Sequence, residues 1–188
     1  TDSERVVEQL PRSLTTLELS FPLIQGKHFG LLPPGLRTLK IVKSALEDEH
    51  VALLPRSITD LTLGNATRSW QGRSSLSPAC YELLPSQMKR LDLTLNRQAT
   101  TAELRNLSET LTHLRLYHID KKSHFKLLPK NLEFLDLEYV EDEDRPYMLR
   151  HLPPKLKTLM STEEAFWGED EPLLWPSTLE CLEINTSS

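Results

Sequence analysis

Leu10-Pro11-Arg12-Ser13-Leu14-Thr15-Thr16-Leu17-Glu18-Leu19 decides the fold, because 22 residues later it returns as Leu32-Pro33-Pro34-Gly35-Leu36-Arg37-Thr38-Leu39-Lys40-Ile41. The string recurs as Leu54-Pro55 with Ile58, Leu61 and Leu63; as Leu84-Pro85 with Met88, Leu91 and Leu93; and as Leu107-Ser108 with Leu111, Leu114 and Leu116. Three further copies are Leu128-Pro129 with Leu132, Leu135 and Leu137, Leu152-Pro153 with Leu156 and Leu159, and Trp175-Pro176 with Leu179, Leu182 and Ile184. From one first strand position to the next the steps are 22, 22, 30, 23, 21, 24 and 23 residues. Self-similarity at such a period marks a repeat architecture, in which no single unit buries its apolar face without its neighbours.

The two-residue spacing of Leu17 and Leu19 sends both side chains to one side of an extended strand and the residue between them to the other. One parallel strand per repeat therefore builds a sheet with a leucine face and a variable face. Upstream of each corner a second apolar spacing of three residues appears, in Val7 to Leu10, Phe29 to Leu32, Val51 to Leu54, Tyr81 to Leu84, Leu104 to Leu107 and Phe125 to Leu128. It predicts a short helical turn packed behind the leucine face. The proline after it holds the preceding leucine out of the helical region, so each Leu-Pro is a corner where turning stops and the strand begins.

The form Leu-Pro-x-x-Leu-x-x-Leu-x-Leu resembles two branches of the leucine-rich-repeat superfamily: the short repeats of secreted effectors from Gram-negative pathogens, and the 22-residue FNIP repeats. Leu10-Pro-Arg-Ser-Leu14 and Leu54-Pro-Arg-Ser-Ile58 are close to the latter. The resemblance spans nearly the whole chain. It implies an α/β leucine-rich-repeat solenoid of eight repeats, with a parallel sheet on the concave face, short helical or extended segments on the convex face, and a role in binding partners. The asparagine that commonly follows the strand leucines is present as Asn96, but Pro22, Ser44 and Ile119 hold the corresponding places, so no asparagine ladder is expected there. Ser108 in place of the corner proline, Ser161 in place of a strand leucine and Trp175 before Pro176 are expected to make their sites locally irregular. The reading is of one repeat domain over residues 1–188, an excerpt of a longer protein, because no capping module is visible at either end.

Composition narrows the function. A formal net charge of -5 removes the general attraction to phosphate on which nucleic-acid and anionic-membrane binders rely, and favours a protein partner with a basic surface. No apolar run approaches the length of a membrane span, so no membrane insertion is expected. Cys80 and Cys181 stand too far apart along the stack to bridge, and no paired-cysteine cap is present. That favours an intracellular setting, although the glycosylation triplets at Asn65, Asn106 and Asn185 lean towards secretion.

The candidate recognition surface is the outward side of the strands: Glu18, Ser20, Lys40, Val42, Asp60, Thr62, Arg90 and Asp92, then His113, Arg115, Tyr117, Phe134, Asp136, Glu138, Thr158, Met160 and Glu183. Repeats five to seven concentrate Arg115, Tyr117, His118, Phe134, Tyr139 and Met160, with Asp136 and Glu138 among them; these include the arginine and aromatic types enriched at interface hot spots. Glu141-Asp142-Glu143-Asp144, followed by Glu163-Glu164 and Glu169-Asp170-Glu171, is read as an acidic rim beside that patch. The long step between repeats three and four holds an extra segment, Asn65 to Ser77, in which Trp70 is the candidate contact.

Catalysis is not expected. Gly26-Lys-His-Phe-Gly30 lacks the spacing and hydroxyl of a phosphate-binding loop, no H-E-x-x-H or G-x-S-x-G string occurs, and no cofactor is called for. His113, His118 and His124 are spaced onto different sides of a strand and its following loop, so no metal site is assigned. Two alternatives to a plain interaction module stay open at this level. The repeats could recruit substrate for a larger enzyme, such as a ubiquitin ligase or its adaptor, or serve as an extracellular recognition module.

Overall fold

The computed structural model describes residues 6–19, 26–42, 46–64, 76–119, 122–139, 145–162 and 175–185. They include eight strands: β1 (Thr16–Leu19), β2 (Thr38–Val42), β3 (Asp60–Gly64), β4 (Arg90–Ala99), β5 (His113–Ile119), β6 (Phe134–Tyr139), β7 (Thr158–Thr162) and β8 (Cys181–Asn185). The chain forms two compact units, Thr1–Leu95 and Asn96–Ser188. In the first, β1 to β4 pair in parallel and in chain order, with Leu17, Leu39, Leu61 and Leu91 in register. In the second, β5 to β8 do the same, with Leu114, Leu135, Leu159 and Leu182 in register.

The register follows from the repeat length, since each leucine meets its counterpart one repeat on and a slip of one residue would turn the leucine face to solvent. Strand leucines inside each unit, such as Leu39 and Leu135, are fully buried. Behind them lie short segments, which the three-residue apolar spacing predicts for all but Arg145–Arg150. Gly26–Leu31 and Lys122–Leu127 are 3-10 turns; Asp48–Ala52, Cys80–Leu83, Thr101–Arg105 and Arg145–Arg150 are single helical turns. They bury Phe29, Val51, Leu104 and Phe125 against the leucine face. Segments this short have little helical stability of their own, so this packing is what holds them.

The corners share one hydrogen-bonding scheme. The N–H of Leu36 donates to the Pro33 carbonyl at 3.1 Å, that of Leu132 to Pro129 at 3.3 Å and that of Leu179 to Pro176 at 3.0 Å. The Thr15 carbonyl then accepts from both Arg37 and Thr38 of the next repeat, at 2.8 and 3.0 Å, and Glu133 does the same for Lys157 and Thr158 at 2.8 and 2.9 Å. The expected irregularity at the three substituted sites does not occur in the backbone. At Ser108 the Leu111 N–H closes the same turn at 3.1 Å, and the serine hydroxyl accepts from the Thr110 N–H at 3.2 Å, a local bond that replaces the constraint of proline. Ser161 is buried and stays in register between Leu137 and Ile184, because the ladder is made by main-chain groups that serine also carries.

A polar ladder does exist, at the corner rather than after the strand. The Ser57 hydroxyl lies 2.7 Å from both the Pro34 and Leu36 carbonyls of the preceding repeat. The Thr178 hydroxyl lies 3.2 and 2.7 Å from those of Pro154 and Leu156, and the Asn131 amide donates to the Glu109 carbonyl at 2.8 Å. This gives a physical reason for the serine in Leu-Pro-x-Ser-Leu. Ser57→Ala is expected to lower the unfolding free energy by about 1 kcal/mol, seen as a lower urea midpoint at constant slope.

Candidate functional site

On the outward side of β5 to β8 two rows of side chains cross the strands. One is His113, Phe134, Thr158 and Cys181; the other is Arg115, Asp136, Met160 and Glu183. They face outward because each lies one residue from a leucine committed to the core. The His113 and Phe134 rings stack, with centroids 5.6 Å apart and planes 18° from parallel, and Thr112 Oγ1 holds His113 Nδ1 at 2.9 Å. Beside them Arg115 Nε lies 2.6 Å from Asp136 Oδ2.

Asp136 departs from what its outward position predicts, being 5% exposed. Burial pushes its carboxyl above the ordinary carboxylate value, against the opposing charge and hydrogen bond of Arg115, and the Glu183 charge adds to the rise. An acid whose folded value is raised contributes stability that is fully present below its unfolded value and is lost as pH rises through the folded one. Asp136→Asn lacks that loss, so the stability of the native protein relative to the variant should fall between pH 3.5 and pH 7. Urea melts at the two values test this; a variant penalty that grows with pH would contradict it.

At the strand starts Lys157 Nζ donates to Glu133 Oε2 at 2.8 Å, which lowers the Glu133 carboxyl value and raises that of Lys157. Both are exposed, and such a pair adds little stability. In the first unit the outward pairs are Lys40 with Glu18 at 2.7 Å and Arg90 with Asp60 at 3.3 Å. The formal charge is divided unequally: residues 96–188 carry eleven Lys and Arg against seventeen Asp and Glu, whereas residues 1–95 carry eleven against ten.

The sequence-predicted patch is thus brought together at Arg115, Phe134, Asp136 and Met160. Tyr117, His118, Glu138 and Tyr139 lie on β5 and β6, with His118 opposite Tyr139 in register, but their side chains are outside the described residues. So is the side chain of Val42. Ser20, Trp70, Glu141 to Asp144, Glu163-Glu164 and Glu169 to Glu171 lie outside the described residues altogether. The extra segment ends at Ser77, whose N–H donates to Asp48 Oδ1 at 2.8 Å and whose hydroxyl meets Asp48 Oδ2. Asn106 is exposed at the end of the Thr101–Arg105 turn, and both cysteines are free thiols.

A recurring buried polar position was not legible in the sequence. His28, His50, Glu103 and His124 occupy the same place in four repeats, one residue before the apolar anchor of the back wall. The Glu47 N–H donates to His50 Nδ1 at 3.0 Å, the Thr100 N–H donates to Glu103 Oε2 at 2.5 Å, and His124 Nε2 lies 2.6 Å from Thr101 Oγ1. Glu47, Glu49 and His50 approach one another closely enough to resemble a ligand set. His50 Nδ1 is already an acceptor, which puts the ring proton on Nε2, the nitrogen a metal would need, so the group reads as a helix cap.

Parallel strands in chain order, leucines inward, a proline-marked corner and a short helical back in each repeat define an α/β fold of the leucine-rich-repeat solenoid type. No family model matches the chain, and no curated protein matches it. Among solved structures it is similar to CroV588, described as a novel circular leucine-rich-repeat protein, at 15% identity and a TM-score of 0.47 over 97% of this chain and 31% of that one. It is also similar to actin-binding site 2 of leiomodin-1, at 12% identity and a TM-score of 0.42 over 80% of this chain and 86% of that one. The chain thus spans about a third of the length of CroV588.

Proposed function

We propose that the chain is a non-catalytic protein-interaction module whose outward strand face in the second unit takes a partner with a basic surface. The observation that carries this reading is the juxtaposition of the stacked His113 and Phe134 rings with an arginine held in place by a buried carboxylate. A pre-positioned arginine beside aromatic surface loses little freedom on binding, which is what a hot spot requires. The excess of carboxylates in residues 96–188 favours a basic partner by complementarity. Within the superfamily, the corner hydroxyls of Ser57 and Thr178 support the FNIP-like form of the repeat.

The test is affinity capture with the full chain followed by binding measurements on the captured partner. Arg115→Ala and Phe134→Ala should each weaken binding about 30-fold, with an unchanged circular dichroism spectrum. Undiminished capture by the double variant would sink the reading.

A further inference from the structure

The corners of repeats two to four, where the chain enters β2, β3 and β4, are rich in cations. Residues 32–38, 54–60 and 84–90 hold Arg37, Arg56, Lys89 and Arg90 against a single carboxylate, Asp60. Asp60 is already committed to Arg90, its register partner, at 3.3 Å. Arg37, Arg56 and Lys89 are exposed. The Arg56 guanidinium is held in place by donating to the Leu83 carbonyl of the next repeat at 2.8 Å, which leaves the rest of its donor fork for another acceptor. Among the described residues neither Arg37 nor Arg56 meets a carboxylate.

The second unit fills the same repeat position differently. Main-chain bonds from Thr59 to Arg37 and from Lys89 to Thr59 put these three residues at one position on successive strands, and the bond from Lys157 to Glu133 does the same for that pair. Glu133 and Lys157 are neighbours and join at 2.8 Å. Arg37 and Lys89 stand two strands apart, about 10 Å. The residue between them, where a carboxylate would face both, is Thr59. A carboxylate brought over Thr59 from outside would do for Arg37 and Lys89 what Glu133 does for Lys157, and Arg56 lies three residues upstream in the same corner. We propose that the corner edge of repeats two to four binds an acidic segment of a partner protein. One carboxylate sits over Thr59 between Arg37 and Lys89, and a second takes the Arg56 fork. Residues 1–95 carry eleven Lys and Arg against ten Asp and Glu, so the attraction is local and lacks the excess that draws a polyphosphate chain. The site belongs to the first unit and stands or falls without the His113 to Met160 face.

The probe is a fluorescein-labelled peptide of glutamates separated by serines, compared with its glutamine counterpart by anisotropy with the full chain. The glutamate peptide should bind the more tightly. Arg37→Ala and Lys89→Ala, at exposed positions, should each weaken its binding about fivefold, the upper range for an exposed ion pair. Thr59→Glu, which supplies the carboxylate from within, should weaken it at least as much with an unchanged circular dichroism spectrum. Lys130→Ala, at a corner of the second unit, should leave it unchanged. Equal binding of both peptides, binding of neither, full binding to Arg37→Ala, or an equal loss with Lys130→Ala would each overturn the proposal. So would tighter binding of an oligothymidylate of the same charge, which would assign the edge to nucleic acid. A concentration-dependent dimer of the unmodified chain that Arg37→Ala dissolves would also overturn it, since a second copy would then be the occupant.

Discussion

Replacing Leu135 with alanine is expected to lower the unfolding free energy by about 2–5 kcal/mol, at the large end for a single substitution. Leu135 is fully buried and lies in register between Leu114 and Leu159, so its side chain is enclosed by leucines of both neighbouring repeats. Truncation removes the apolar contact and leaves a cavity that two flanking strands, each held by its own ladder, cannot close. Leu182→Ala provides the internal comparison. Its position in the repeat is the same, but the side chain is 39% exposed and covered from one side, so the loss should be clearly smaller. Urea denaturation of the two variants reads the difference as a shift in midpoint; equal losses would contradict nearest-neighbour stacking as the source of stability.

Phe29→Ala is expected to cost about 3–5 kcal/mol. The ring is 1% exposed and stacks on His50 of the next repeat, with centroids 5.1 Å apart and planes 12° from parallel. The Gly26–Leu31 turn is too short to persist without that anchor, so its loss should free the turn as well as open a cavity. Water would reach His50 and compete for the Glu47 N–H, which makes the Asp48–Ala52 turn the second place to respond. Hydrogen exchange should therefore rise in both 26–31 and 48–52, while β6 and β7 keep their protection. A rise confined to 26–31 would show that the back wall does not transmit the change.

The corner shows how far the sequence reached. Leu-Pro at constant offset predicted a turn, and the turn forms with the same bond at Pro33, Pro129 and Pro176. Ser108 in place of the corner proline predicts a local irregularity, yet the turn needs only a carbonyl at that residue and the N–H three further on. The sequence predicts no asparagine ladder after the strand leucines, and the polar ladder that does form lies at Ser57, Asn131 and Thr178, where a short donor meets carbonyls of the preceding corner. Asp136 was legible as outward-facing but not as buried, since its cover includes an arginine from a residue 21 positions earlier.

By itself the sequence determined the repeat, the strand positions, the inward leucines and the helical backs, because a period of two along a strand, a period near 22 along the chain and the geometry of proline are local properties. Only the tertiary structure decided which outward residues meet. The stacking of His113 on Phe134, the burial of Asp136 against Arg115 and the contact of His124 with Thr101 all depend on register between residues one repeat apart. That register is set by main-chain pairing and leucine packing summed over neighbouring strands, which no single repeat specifies.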